Sequence, residues 1–258
     1  MKRIRSVVAF AFAMGLALTG RAALVELQDG PGGAKLTGPH TEKTLGGIGG
    51  IFDKINYEAG QNDPVGEQVQ EDYFTNGGSG GAIATFIISV AGNREENEIG
   101  IFNMDGELLP IFEGTSTGPT QAQISFLANG DVVIGGFGDG VQVGTTEGFG
   151  HKFGFYVSGP GGTFYTDDTK NPGGDPQVLV YQGNGEKIQI PKFKSGVFAT
   201  NEFIFAFEDL EYAKSDKDFN DFVFLVESIH AIPEPATLLL VGSGLVALGV
   251  VSRRRRKV

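Results

Sequence analysis

Cysteine and tryptophan are absent from this chain, and histidine occurs only three times, at His40, His151 and His230. Without cysteine there are no disulfide staples, no thiol catalysis and no thiolate metal site. Without tryptophan the best flat surface for stacking on a sugar face is missing. The histidines stand in no His-Glu-x-x-His arrangement and no Gly-x-Ser-x-Gly elbow accompanies them, so the expectation is a protein that is not an enzyme. A pair of carboxylates among the 31 acids is the hydrolytic arrangement the sequence leaves open.

Positive charge is also scarce in the body of the chain. The whole sequence holds 20 Lys and Arg against 31 Asp and Glu. Nine of the basic residues lie in the terminal segments: Lys2, Arg3, Arg5 and Arg21 at one end, Arg253 to Arg256 and Lys257 at the other. Residues 23–235 therefore carry 31 acids and 11 bases, a net charge of −20. Such a surface repels nucleic acid and anionic lipid and attracts cations, and its self-repulsion makes a divalent ion a natural stabiliser.

The two termini carry the marks of targeting signals. In residues 1–22, Lys2, Arg3 and Arg5 form a positive start, Val7 to Leu18 an apolar run, and Gly20-Arg21-Ala22 a small-residue exit. The expectation is a secretory signal peptide cleaved after Ala22. In residues 231–258, Pro233-Glu234-Pro235 precedes 16 uncharged residues, Ala236 to Val251, which contain Gly242 and Gly244 and run into the basic cluster. That length falls a little short of the roughly 20 residues of a standard span, and the basic cluster would keep the tail in the cytoplasm. The three parts in this order resemble a PEP-CTERM sorting signal with its transmembrane helix. The resemblance implies a Gram-negative bacterium that makes exopolysaccharide, cleavage by a membrane-bound exosortase near the Pro-Glu-Pro motif, and delivery of the protein to the cell surface or beyond.

Between the signals, 41 glycines in the chain punctuate many short apolar runs. This pattern predicts an all-β fold, an antiparallel sandwich or jelly-roll-like arrangement. Strands are expected at Ala23–Gln28, Ala82–Val90, Glu98–Asn103, Gln121–Leu127, Val132–Ile134, Lys152–Val157, Gly162–Thr166, Gln177–Gln182, Lys187–Pro191, Glu202–Phe207 and Phe222–Ser228. The runs FIFAF and FVFLVESI are apolar on both parities, as in strands covered on both faces. Leu45, Ile48, Ile51, Phe52 and Ile55 recur at helical spacing and suggest one short helix. A soft division separates an N-terminal portion, 23–148, from a C-terminal portion, 149–230, and leaves open whether they are one domain.

The chemistry concentrates in FEDLEYAKSDKDFNDF, residues 207–222. If the flanking strands pair as a hairpin, Glu208 and Asp209 arrive at the same sheet edge as Asp216, Asp218, Asn220 and Asp221. Six oxygen-bearing side chains then surround one point. Calcium takes six to eight oxygen ligands of this kind, whereas zinc and copper want imidazole or thiolate and magnesium tends to keep its water. Calcium is the first choice of metal, and the alternative is an acidic turn whose Asp and Asn side chains cap their own backbone. An EF-hand is rejected, because Asp221 stands where the sharp turn wants glycine and FVFLVE reads as a strand. GGFGDGVQVG, 135–144, reads as a glycine-rich hairpin turn and FYTDDTKNPGGDP, 164–176, as a loop.

The stretch 149–229 resembles an uncharacterised domain of secreted bacterial proteins. The likeness rests on Gly154-Phe155-Tyr156, Phe207-Glu208-Asp209 and the Asp-x-Asp-x-Asn-Asp run Asp216 to Asp221. It implies a β-sandwich module with calcium binding and no established activity. The expected function is a secreted, calcium-binding structural or adhesive component of the cell surface or exopolysaccharide matrix. The alternative is a calcium-dependent carbohydrate-binding module, in which Tyr156, Tyr165, Tyr181 and Tyr212 replace the missing tryptophan as stacking surfaces.

Overall fold

The computed structural model describes residues 68–76, 80–89, 96–114, 120–190 and 193–233. The signal peptide expected at residues 1–22, the strand expected at Ala23–Gln28, the helix expected around Leu45 to Ile55 and the apolar run from Ala236 lie outside the described residues. Among the described residues no helix is long and apolar enough to cross a membrane.

The described chain is all-β, and every strand pairing in it is antiparallel. The strands in chain order are β1 (Gln68–Val69), β2 (Phe74–Asn76), β3 (Gly81–Ser89), β4 (Glu98–Asn103), β5 (Leu108–Glu113), β6 (Gln121–Phe126), β7 (Val132–Phe137) and β8 (Gly144–Thr146). They continue as β9 (Lys152–Gly159), β10 (Gly162–Tyr165), β11 (Val178–Gln182), β12 (Glu186–Ile188), β13 (Gly196–Phe198), β14 (Glu202–Phe207), β15 (Phe222–Glu227) and β16 (Ile229–Ala231). One sheet of eight strands runs β1-β11-β14-β15-β3-β6-β7-β8. A second runs β16-β2-β9-β4-β5, with β10 also paired to β9. β12 and β13 form a separate hairpin. Strands from both sides of residue 148 share both large sheets.

Period-two alternation builds the core between the sheets. Phe203, Phe205 and Phe207 of β14 and Phe222, Phe224 and Val226 of β15 belong to one buried cluster with Phe153, Phe155 and Val157 of β9 and Ile99 and Ile101 of β4. Phe155 and Phe205 meet across the sheets with ring centroids 4.2 Å apart, and Phe205 stacks on Phe224 at 5.2 Å. Burying each such ring contributes about 1.5–3 kcal/mol, and this is what joins the two layers. The opposite parity of the same strands, Ile204, Ala206, Val223 and Leu225, is buried as well. Ile188 and Val197 of the β12–β13 hairpin border a cleft with Leu225 and Glu227, which places the hairpin over that outer face. At Leu225 the hairpin thus adds a partial third layer to the sandwich.

β4 and β14 have the bounds expected from their sequence, whereas β5 was hidden. Its LLPIFE run contains Pro110, which argues against a strand. The structure tolerates it because β5 is the last strand of its sheet and the register with β4 shifts between Ile99 and Gly100.

The site is positioned by β14 and β15. They pair in register from Glu202 with Glu227 to Phe207 with Phe222, as a hairpin. The connection from Glu208 to Asp221 leaves and re-enters the sheet at the same end of these two central strands.

Candidate metal centre

The backbone of this connection is held from outside as well as within. Glu208 donates its backbone N–H to the Gln177 carbonyl, 3.1 Å, extending the β11–β14 pairing by one step. The Gln177 side chain then spans the first turn, donating from Nε2 to the Leu210 carbonyl at 2.6 Å and accepting from the Tyr212 N–H at 2.5 Å. Lys214 and Ser215 donate back to the Glu211 carbonyl. Phe219 is fully buried and anchors the far side of the loop. Lys217 turns its ammonium over the Tyr212 ring, 4.3 Å from the centroid. Lys217 and Phe219 both have positive φ, 64° and 53°, a conformation that costs a side-chain-bearing residue about 1–2 kcal/mol. Such strain at alternate residues curls the chain tightly around Asp218.

One carboxylate oxygen from each of Glu208, Asp216 and Asp218 lies within 4.8 Å of the others. Oxygens bound to one calcium at about 2.3–2.6 Å can be up to about 5 Å apart, so the spacing suits that ion. Glu208 is fully buried, Asp218 is 8% exposed and Asp216 is half-buried. The Glu208 carboxylate is only half satisfied. Its Oε1 accepts the Phe219 N–H at 2.6 Å, whereas Oε2 is buried with no hydrogen-bond partner. An unpartnered buried carboxylate oxygen carries a cost of a few kcal/mol unless a cation faces it.

The remaining residues expected as ligands, Asp209, Asn220 and Asp221, make hydrogen bonds around this trio. Asn220 donates from Nδ2 to Asp218 Oδ2 at 2.6 Å and so fixes the orientation of that carboxylate. Asp221 Oδ2 accepts the backbone N–H of Asp209 at 3.0 Å, tying the two ends of the connection together. The Asp209 carboxylate accepts from Asn97 Nδ2 at 2.8 Å, across to β4 of the other sheet.

The electrostatics follow from burial. Loss of water pushes the Glu208 carboxyl up to about 8, and the negative charge of Asp221 adds to the rise. The Phe219 N–H and the nearby Ser215 hydroxyl work against it. Asp221 is pushed up to about 7, again first by burial; the Asp209 N–H lowers it and the charges of Asp209, Asp218 and Asp216 raise it. A site in which carboxyls hold protons near neutrality for want of counter-charge is one a hard cation can enter, releasing those protons.

The other acidic stretch, expected as a loop, begins in β10 and continues through two short 3-10 turns, Asp168–Lys170 and Pro172–Gly174. In 164–176, Asp167 accepts from the Thr169 N–H at 3.0 Å and from the Tyr73 hydroxyl. His151 and His230 are exposed, and neither belongs to the acidic trio. Sequence reasoning missed Gln177 and Asn97. Gln177 had a local signal, a polar residue at the start of an apolar strand, but Asn97 lies 112 residues from its partner and only the fold connects them.

Two family models match the chain. Residues 143–228 match a domain of unknown function, DUF4114, and residues 231–256 match the PEP-CTERM protein-sorting motif. Neither the curated proteins nor the solved structures give a match. The fold and the sorting motif define an exported antiparallel β protein, held in the membrane before processing. Exosortase is the enzyme that reads such a motif. The DUF4114 match runs from just before β8 to just after β15, so it encloses the whole acidic connection and leaves out Asn97.

Proposed function

We propose that the protein is a non-catalytic, calcium-stabilised β-sandwich that serves as a structural or adhesive component at the surface of a Gram-negative cell or in its exopolysaccharide matrix. The observation that carries the calcium reading is the buried, unpartnered Oε2 of Glu208 beside the carboxylates of Asp216 and Asp218. Oxygen-only ligands and the acidic body favour a hard divalent cation. The export motif supports the extracellular setting, where calcium is plentiful and the protein meets other surface components.

The burial of Glu208 and Asp218 favours an ion that holds the fold over one that bridges to a sugar. A bridging ion needs open coordination positions, and Glu208 and Asp218 are shielded. The tyrosines point the same way. Tyr156 and Tyr181 are fully buried, and the rings of Tyr165 and Tyr212 have Lys170 and Lys217 over them.

Isothermal titration of the purified, chelator-treated chain is the test. One calcium per chain is expected, with a Kd of roughly 10⁻⁴–10⁻³ M, in the range of extracellular calcium modules. Asp216→Asn with Asp218→Asn should abolish the heat of binding. Binding undiminished in that double variant would move the ion elsewhere, and no binding at all in the wild type would leave an acidic sandwich without a metal.

A further inference from the structure

Asp209 sits beside the acidic trio, yet its carboxylate is committed to the opposite sheet. Asp209 follows β14 in the eight-stranded sheet, and Asn97 precedes β4 in the other. Their 2.8 Å hydrogen bond is buried, with Asn97 3% and Asp209 7% exposed. Asn97 is itself held firmly: its carbonyl accepts the Gly114 N–H at 2.7 Å. The turn between β9 and β10 closes over both residues. A Cβ at Gly159 would lie 1.8 Å from Asn97 Oδ1, and one at Gly161 would lie 2.1 Å from the Asp209 carbonyl. On its other side Asp209 donates its N–H to Asp221 at 3.0 Å, and so sets the spacing between the two ends of the acidic connection.

We propose that Asn97 and Asp209 form a latch that ties the ion-binding connection to the opposite sheet, with Asp209 acting as a positioning residue and not as a ligand. The inference rests on the calcium reading above. Its physical content is that the ligands Glu208 and Asp218 belong to a loop whose ends are fixed by Asp209, and Asp209 is fixed by a residue of the other layer. Occupancy of the site is thereby coupled to closure of this end of the sandwich. Groups that orient metal ligands from behind alter metal affinity by about 10- to 100-fold when removed. Asn97 donates through Nδ2 alone, and its buried Oδ1 has no partner, so the bond depends on an acceptor at position 209.

The experiment compares calcium affinity by titration, and melting temperature in chelator, across a set of variants of the purified chain. Asp209→Asn should keep calcium binding within about threefold of wild type, because the amide oxygen still accepts the Asn97 N–H, whereas Asp218→Asn should lose it. Asn97→Asp sets two carboxylates against each other and should weaken calcium at least about tenfold. The exchange Asn97→Asp with Asp209→Asn should restore it. If Asn97→Asp fails to fold, Asn97→Ser supplies the single-site comparison and the exchange must recover both folding and affinity. Loss of binding in Asp209→Asn as complete as in Asp218→Asn would overturn the proposal by making Asp209 a ligand. So would a latch variant that melts lower in chelator with an unchanged Kd, since that is a structural tie alone. Absence of calcium binding in the wild type would instead strike the underlying reading.

Discussion

With Glu208 replaced by glutamine, the chain should melt on the order of 10 °C higher than wild type in chelator at pH 9, and should no longer respond to calcium. The fully buried carboxyl of Glu208 is pushed up to about 8 by loss of water and by the charge of Asp221. At pH 9 the metal-free protein must bury that charge with one oxygen unpartnered, at a cost of a few kcal/mol relative to the unfolded chain. Glutamine has nearly the same shape, keeps an oxygen for the Phe219 N–H and carries no charge, so the cost disappears. The same substitution removes the ligand with the least access to water, and calcium loses its hold. Differential scanning calorimetry with and without calcium reads both effects. A variant that melts below wild type in chelator would mean that the carboxylate is already well compensated without an ion.

The second large effect is an opposite pH dependence with and without metal. Four carboxyls, Glu202, Glu208, Asp221 and Glu227, are moved upward by the fold, with burial the largest cause in each. A group raised in the folded state holds its proton there after the unfolded chain has released it. Its stabilising contribution is complete below the ordinary carboxylate range and is lost as pH rises to the folded value, about 7 for Asp221 and about 8 for Glu208. In chelator, melting temperature should therefore fall steadily from pH 5 to pH 9. With millimolar calcium the ion takes the place of the protons, so the fall should flatten, and the increment due to calcium should grow with pH. Melting curves at pH 5, 7 and 9 suffice. An increment that is largest at pH 5 would have the wrong sign.

How far the molecule was legible in its sequence depends on distance along the chain. The strands FIFAF and FVFLVE announced themselves by composition, and the hairpin between them follows from their closeness, so Glu208 and Asp218 could be placed at one edge in advance. Within the connection, six oxygen-bearing side chains looked equivalent because composition carries no direction. The fold separates them: three converge, Asn220 steadies Asp218, Asp221 ties the loop ends and Asp209 reaches across to Asn97. The last of these contacts needed the pairing of β4 with β9, which no local pattern encodes. Pro110 hid β5 for a similar reason, since only its place at a sheet edge makes proline harmless there.

The central claim is that Glu208, Asp216 and Asp218 enclose a single hard cation. Its most direct measurement is a crystal structure of the protein grown in calcium, with anomalous scattering used to locate the ion. The account predicts one anomalous peak, at about 2.3–2.6 Å from an oxygen of each of the three carboxylates and facing Glu208 Oε2. Electron density showing those carboxylates turned apart, or an ion bound elsewhere with this trio empty, would contradict it.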